Sequence, residues 1–160
     1  MTPEMEQKAH RKTSETYCVF NQTRESFLSL GITRADNHLA RLKGLLGRFK
    51  LRSDEGLWIV PSWGIHTIGL LFPIDLVYLD TESRVIHLVE HLGTFRIGPI
   101  RTESASVLEL PTRTIYSSQT QVGDRLMIRS TEGMEAYLQE HQTKSAATAS
   151  QSGRHALTGP

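Results

Sequence analysis

Cysteine and long apolar runs are both scarce in this sequence. Cys18 is the single cysteine among 160 residues, which excludes an intramolecular disulfide and a thiolate metal cluster within one chain. The longest apolar stretch, residues 65–79, is interrupted by His66, Pro73 and Asp75. Residues 1–30 carry scattered charges and lack the apolar core of a signal peptide. We therefore expect no membrane insertion and a cytoplasmic location.

An excess of positive charge is also missing, since the formal net charge is +1. Nonspecific phosphate binding needs Lys and Arg concentrated on one surface, so nucleic acid is not an expected partner. The chain contains no Gly-x-Ser-x-Gly elbow and no phosphate-binding glycine loop. Cys18 lies in an apolar run, where a free cysteine behaves as a small hydrophobic residue. We predict no catalytic nucleophile, no metal and no cofactor.

Polar, aperiodic segments at both ends enclose a β-rich middle. Residues 1–15 and 143–160 lack apolar spacing and are predicted to be disordered. Residues 16–130 are predicted to form a single domain, with a short helix at 131–142. Five short apolar runs bounded by turn residues predict strands at Gly56–Val60, Leu76–Leu79, Val85–Val89, Val107–Leu110 and Leu126–Ile128. The predicted fold is mainly β (α+β), a compact antiparallel sandwich or barrel-like sheet with one packed helix.

Two further elements precede these strands. The runs 17–20 and 27–30 flank the polar residues 21–23 and predict a β-hairpin. Thr33 and Asp36 match a capping box, so a helix is expected to follow. It would end at Gly47. Its apolar face would consist of Ala35, Leu39, Leu42 and Leu46.

Sequence blocks spread over most of the chain resemble one family, the domain of unknown function 192. The most specific block is residues 65–80, where His66 is followed by Pro73, an apolar residue and Asp75. Similar blocks occur at 21–24, 41–48, 54–57, 107–111 and 122–126. The resemblance implies a compact, mainly β, sandwich or barrel-like fold and no established activity.

This chain departs from the family pattern at two places. Residues 68–71 are Ile-Gly-Leu-Leu, where many members have Trp-Met-Lys-Asn. Pro111 is followed by Thr112 and Arg113 instead of Ala and Gly. No role that depends on that Trp or Lys is carried over to this chain.

An acid, a base and a cation occur together in these blocks. Glu55, His66, Asp75 and Arg48 could support proton transfer or anion binding if they converge in space. The alternative is structural: Arg48 pairs with a carboxylate, while His66 and Asp75 cap backbone groups. Trp63 could line a concave site beside them or belong to the core.

Two other constellations have weaker spacing. His66, His87 and His91 contain enough imidazoles for a metal site, but nothing places His66 beside the other two, so none is predicted. Uninterrupted positive side chains between 36 and 54 make a locally basic surface, either a solvated helix face or a docking site. They are Arg41, Lys43, Arg48, Lys50 and Arg52.

Three functions remain open. The preferred hypothesis is a noncatalytic accessory domain that binds a small molecule or peptide at a rim near Arg48, Glu55, Trp63, His66 and Asp75. The first alternative is a small enzyme with His66 as general base and Asp75 as its orienting carboxylate. The second is a structural protein-interaction module that docks through the basic helix.

Overall fold

A computed structural model describes residues 15–36, 45 and 47–155, in which seven strands form one sheet. The strands are β1 (Thr16–Asn21), β2 (Ser26–Ala35), β3 (Glu55–Ile59), β4 (Ile74–Leu79), β5 (Val85–Leu92), β6 (Ser106–Pro111) and β7 (Leu126–Ser130). Two helices are described, α1 (Thr114–Ser118) and α2 (Thr131–His155). The strand order is β5-β4-β6-β3-β2-β1-β7.

The sheet is mixed and strongly curled. Strands β2 and β3 pair in parallel, whereas the other neighbouring pairs are antiparallel. The two edge strands approach each other where Arg84 forms an isolated bridge with Arg125, and the Val85 N–H donates to the Asp124 carbonyl over 2.8 Å. The sheet stops short of a closed barrel. The mainly β, barrel-like prediction is confirmed, with one parallel pair added to the antiparallel ones.

Strand β4 runs through the centre of the core. All six of its residues are buried, because both faces of the strand are covered. Leu76 and Tyr78 belong to the apolar cluster on one face, and Val77 and Leu79 belong to the cluster on the other. A strand covered on both sides has a nearly continuous apolar sequence, as residues 74–79 do.

The predicted strands and hairpin are confirmed, but the start of the predicted helix is wrong. Thr33 and Ala35 belong to β2, where they align with Leu57 and Ile59 of β3. Pairing with a neighbouring strand therefore prevails over the local capping signal. Leu45 is helical and buried, while residues 37–44 and 46 lie outside the described residues.

Helix α1 was not predicted, and α2 is longer than predicted. Helix α1 has only five residues, too few for a helical periodicity to be visible. Helix α2 extends to His155 instead of ending near 142, so most of the segment expected to be disordered is helical. An ion pair of 2.6 Å between Lys144 and Glu140 supports its middle. Residues 1–14 and 156–160 lie outside the described residues.

Neither described helix combines the length and the apolar sequence that a membrane span requires. Helix α2 has 25 residues, enough to cross a bilayer, but its sequence is polar. Within the residues that the structure describes, no helix is long and apolar enough to cross a membrane.

Strand β3 approaches its neighbour so closely that only glycine fits at position 56. A Cβ on Gly56 would lie 2.7 Å from the Glu109 carbonyl oxygen of β6. We expect Gly56→Ala to lower the free energy of unfolding by about 1–3 kcal/mol, because the backbone of a central strand must move. Gly93→Ala is the matched control, since its Cβ would meet only the Cγ of Arg96, at 4.0 Å. Equal urea midpoints for the two variants would contradict this packing.

Candidate functional site

Two loops at one end of the sheet form an irregular ribbon. They are residues 60–73, between β3 and β4, and residues 93–105, between β5 and β6. The Thr67 N–H donates to the Arg96 carbonyl over 2.8 Å, and the Gly98 N–H donates to the Ile65 carbonyl over 2.7 Å. These cross-loop bonds hold the two loops side by side.

One buried hydroxyl attaches this ribbon to the sheet, and a second joins its two loops. The Tyr78 hydroxyl donates to the Pro99 carbonyl over 2.8 Å. The Thr67 hydroxyl donates to the Gly93 carbonyl over 2.6 Å and accepts the Arg96 N–H over 2.9 Å. The ribbon therefore has a defined position despite its irregular backbone.

The ribbon forms a cleft of about 440 Å³, which we call the apolar cleft. Its large apolar side chains are mostly exposed: Trp63 is 63% exposed, Ile97 74% and Ile100 68%. Such exposure of neighbouring apolar groups is uncommon unless a ligand or partner covers them. The apolar cleft is lined by Pro61, Ser62, Trp63, Gly64, Ile65, His66, Ile68, Ile97, Gly98 and Ile100.

Trp63 and His66, two of the predicted site residues, share the apolar cleft. His66 forms an isolated antiparallel bridge with Ile97, which places the imidazole beside the second loop. The isoleucines from that loop were not among the residues predicted from the sequence. They stand singly between glycine, proline and polar residues, so no periodic pattern marked them.

Arg48 and Glu55 lie at a different cavity. The Arg48 guanidinium contacts the Glu55 carboxylate at 2.8 Å, and the same carboxylate oxygen accepts the Arg52 N–H. Both side chains line a second cavity of about 440 Å³ that also includes Arg34 and Leu45. Partly exposed ion pairs contribute about 0–1 kcal/mol, so this pair is a modest structural contact.

Asp75 has a structural role inside the fold. Its side chain is completely buried, with one oxygen accepting the His91 N–H over 2.9 Å and the other accepting the Ile115 N–H over 3.1 Å. It lines neither the cavity of Arg48 and Glu55 nor the apolar cleft. The single rim expected from the sequence is therefore divided among three places.

The two other clusters considered from the sequence are the three histidines and the basic surface between residues 36 and 54. The Arg101 guanidinium lies 3.3 Å from the His87 ring. The pKa of His87 is lowered, mainly by burial and secondly by the Arg101 guanidinium. Glu103 acts in the opposite direction. Across the described part of the chain, no three His, Cys, Asp or Glu side chains are arranged to hold a metal.

Arg41 and Lys43 of the basic surface lie outside the described residues.

Family comparison agrees with this fold. The model of the domain of unknown function 192 family, described as an uncharacterised ACR, matches residues 19–128. The chain belongs to this family. Its strands and the ribbon are thus features of one domain of unknown function 192, whereas α2 lies beyond the matched residues. No curated protein matches the chain.

Two solved structures share the fold of this domain of unknown function 192. A candidate transcription regulator from Sinorhizobium meliloti 1021 is 19% identical with a TM-score of 0.59, and the match covers 71% of this chain and 92% of that one. A protein of unknown function from Novosphingobium aromaticivorans is 17% identical with a TM-score of 0.56, covering 70% and 83%. At these identities the likeness shows the fold alone.

Proposed function

We propose that this protein is a noncatalytic binding domain that takes an apolar small molecule in the apolar cleft. The observation that carries the proposal is the concave arrangement of Trp63, Ile97 and Ile100, each more than 60% exposed. A volume of about 440 Å³ lies within the range of small-molecule pockets, about 300–1,000 Å³.

Burial of these side chains supplies the driving force for binding. Fully covering one large apolar side chain contributes about 1.5–3 kcal/mol. Ile68, 51% exposed, adds a fourth such side chain to the three at the rim. Since the hydrogen bonds across the ribbon already fix the two loops, little additional ordering is needed when a ligand enters.

The polar groups of the cleft favour recognition over acid–base catalysis. The Ser62 hydroxyl donates to the Gly64 carbonyl over 3.0 Å, within its own loop. A His66 general base needs a carboxylate to orient its ring, and Asp75 was the predicted partner. Both Asp75 oxygens instead accept backbone N–H groups. The His66–Asp75 pair expected from the sequence is therefore not the arrangement at this cleft.

Binding of the neutral fluorophore N-phenyl-1-naphthylamine tests this proposal. We expect a saturable rise in its fluorescence, with affinity reduced at least about tenfold in Ile97→Asp, because a carboxylate would face the ligand. Ile97 is 74% exposed, so folding is expected to change little. Val122→Asp is the control, since Val122 is 62% exposed in a turn away from the cleft. Equal affinities for both variants, or no saturable binding, would refute the proposal.

A further inference from the structure

A third cavity lies between the outer edge of β5 and helix α1, and its lining is mostly polar. It encloses about 650 Å³. We call it the polar cleft, and it is lined by Glu90, Ile115, Tyr116, Ser117, Gln119, Thr120 and Gln121. We propose that the polar cleft binds a neutral polyhydroxylated ligand, of which a saccharide is the representative class. The inference does not depend on the apolar cleft.

The buried Asp75 carboxylate joins the two walls of the polar cleft. His91 follows Glu90 on one wall, Ile115 precedes Tyr116 on the other, and each donates its N–H to a different Asp75 oxygen. A fully buried carboxylate held in this way fixes the spacing between the walls. Asp75, selected from the sequence as a site residue, is therefore a positioning residue for this cleft.

Backbone conformation is unusual at both walls. His91, Arg113 and Gln119 have positive φ values of 53°, 72° and 55° although none is glycine. Such conformations cost about 1–3 kcal/mol each and persist where the surrounding structure holds them, commonly at ligand sites. Gln119 ends helix α1 in the left-handed conformation common at helix ends, and Arg113 directly precedes the helix, so these conformations fix both ends of the helix that forms one wall of the cleft.

The chemistry of the lining matches hydroxyl groups better than an ion or a hydrocarbon. Tyr116 is 70% exposed and offers an aromatic ring with a polar tip. Among the residues that the structure describes, neither the Glu90 carboxylate nor the Gln119 amide has a side-chain partner. An amide both donates and accepts hydrogen bonds, as a hydroxyl ligand requires.

Hydrogen bonds orient two further polar groups of the polar cleft. The Gln121 side-chain oxygen accepts a hydrogen bond of 2.6 Å from Arg24, which fixes its amide group. The Thr120 hydroxyl lies 2.7 Å from Ser118 and accepts from Asn21. One carboxylate is too few for a divalent cation, and the two guanidinium groups beside the cleft are already engaged, Arg24 by Gln121 and Arg113 over the Tyr116 ring at 5.9 Å. A neutral ligand with several hydroxyl groups satisfies this set.

Titration of the full, ¹⁵N-labelled chain with cellobiose, maltose and diacetylchitobiose tests the inference. At least one sugar is expected to shift the backbone amide signals of Tyr116 and Gln119 saturably, with affinity reduced at least about tenfold in Tyr116→Ala. Phe49→Ala, which removes an 81% exposed aromatic that lines neither cleft, is expected to leave that affinity unchanged. The spectrum of each variant shows directly whether it is folded.

Two results would overturn the inference. The first is the absence of saturable shifts with all three sugars. The second is an equal affinity of wild type and Tyr116→Ala for the sugar that binds. Because the fluorophore experiment uses Ile97 and the sugar experiment uses Tyr116, failure at one cleft is distinguishable from failure at the other.

Discussion

Asp75→Ala is expected to lower the free energy of unfolding by about 3–5 kcal/mol, the largest effect predicted for a single substitution in this protein. The change leaves the buried Ile115 N–H and the part-buried His91 N–H without their acceptor. Each unsatisfied buried donor costs about 1–3 kcal/mol, and the lost carboxylate also leaves a cavity. Urea denaturation followed by circular dichroism measures the loss.

Asp80→Ala is the matched control for this prediction. Asp80 also accepts two backbone N–H groups, from Glu82 and Arg84, both over 2.9 Å. These bonds lie in an exposed turn where water replaces the lost acceptor, so we expect a loss of about 0.5–2 kcal/mol. If Asp75→Ala does not fold, Asp75→Asn, which retains one acceptor oxygen, supplies the measurement. Equal losses at positions 75 and 80 would contradict the role of Asp75.

The strands of this fold are visible in the sequence because their signals are local. Residues 74–79 form an uninterrupted buried strand and read as an apolar run that ends at the polar turn 80–83. Residues 85–92 begin directly after that turn and pair back antiparallel. Composition and turn residues suffice for such hairpins. They do not reveal the parallel pairing of β2 with β3, which depends on contacts between distant segments.

The helix predicted from Thr33 shows how distant contacts alter a local signal. Thr33 followed by Asp36 fits a helix start in isolation. In the folded chain, Ile32 is completely buried and Thr33 aligns with Leu57, so this segment extends a strand. A capping box stabilises a helix by about 0.5–2 kcal/mol, which the pairing and burial of a whole strand exceed.

Residues of a candidate site that are close in sequence can be grouped from the sequence. Residues that come together only in the folded chain cannot. Trp63 and His66 line one cleft, and their closeness in sequence makes that neighbourhood predictable. Ile97 and Ile100 join them only through hydrogen bonds between two loops some thirty residues apart. Asp75 was conspicuous as an acid within an apolar run, yet sequence alone could not distinguish a catalytic carboxylate from one that binds backbone amides.

Asp124 anchors the turn before β7 to the first hairpin. The carboxylate is buried and accepts hydrogen bonds of 2.9 Å from the Asn21 amide and 2.8 Å from the Gln121 N–H. The Arg24 guanidinium contacts it at 3.1 Å. We expect Asp124→Ala to lower the free energy of unfolding by about 2–4 kcal/mol, because buried donors and a cation lose their shared acceptor.

The stabilisation from Asp124 is expected to depend on pH. Burial alone would raise the pKa of this carboxyl, but hydrogen bonds from Asn21, the Gln121 N–H and Arg24 outweigh burial and lower the pKa below its ordinary value. The folded protein therefore holds the proton less tightly than the unfolded chain, whose aspartate pKa is about 3.9. The stabilisation is complete above the unfolded pKa and is lost as the pH falls through the folded pKa.

Urea denaturation of wild type and Asp124→Asn across the acidic range checks this sign. Asparagine cannot ionise, so the difference in unfolding free energy between the two proteins is expected to be constant at neutral pH and to shrink as the pH falls below about 4. Other carboxylates titrate in both proteins, and their contributions cancel in the difference. A difference that stays constant down to pH about 2, or grows on acidification, would show that Asp124 does not act through its charge.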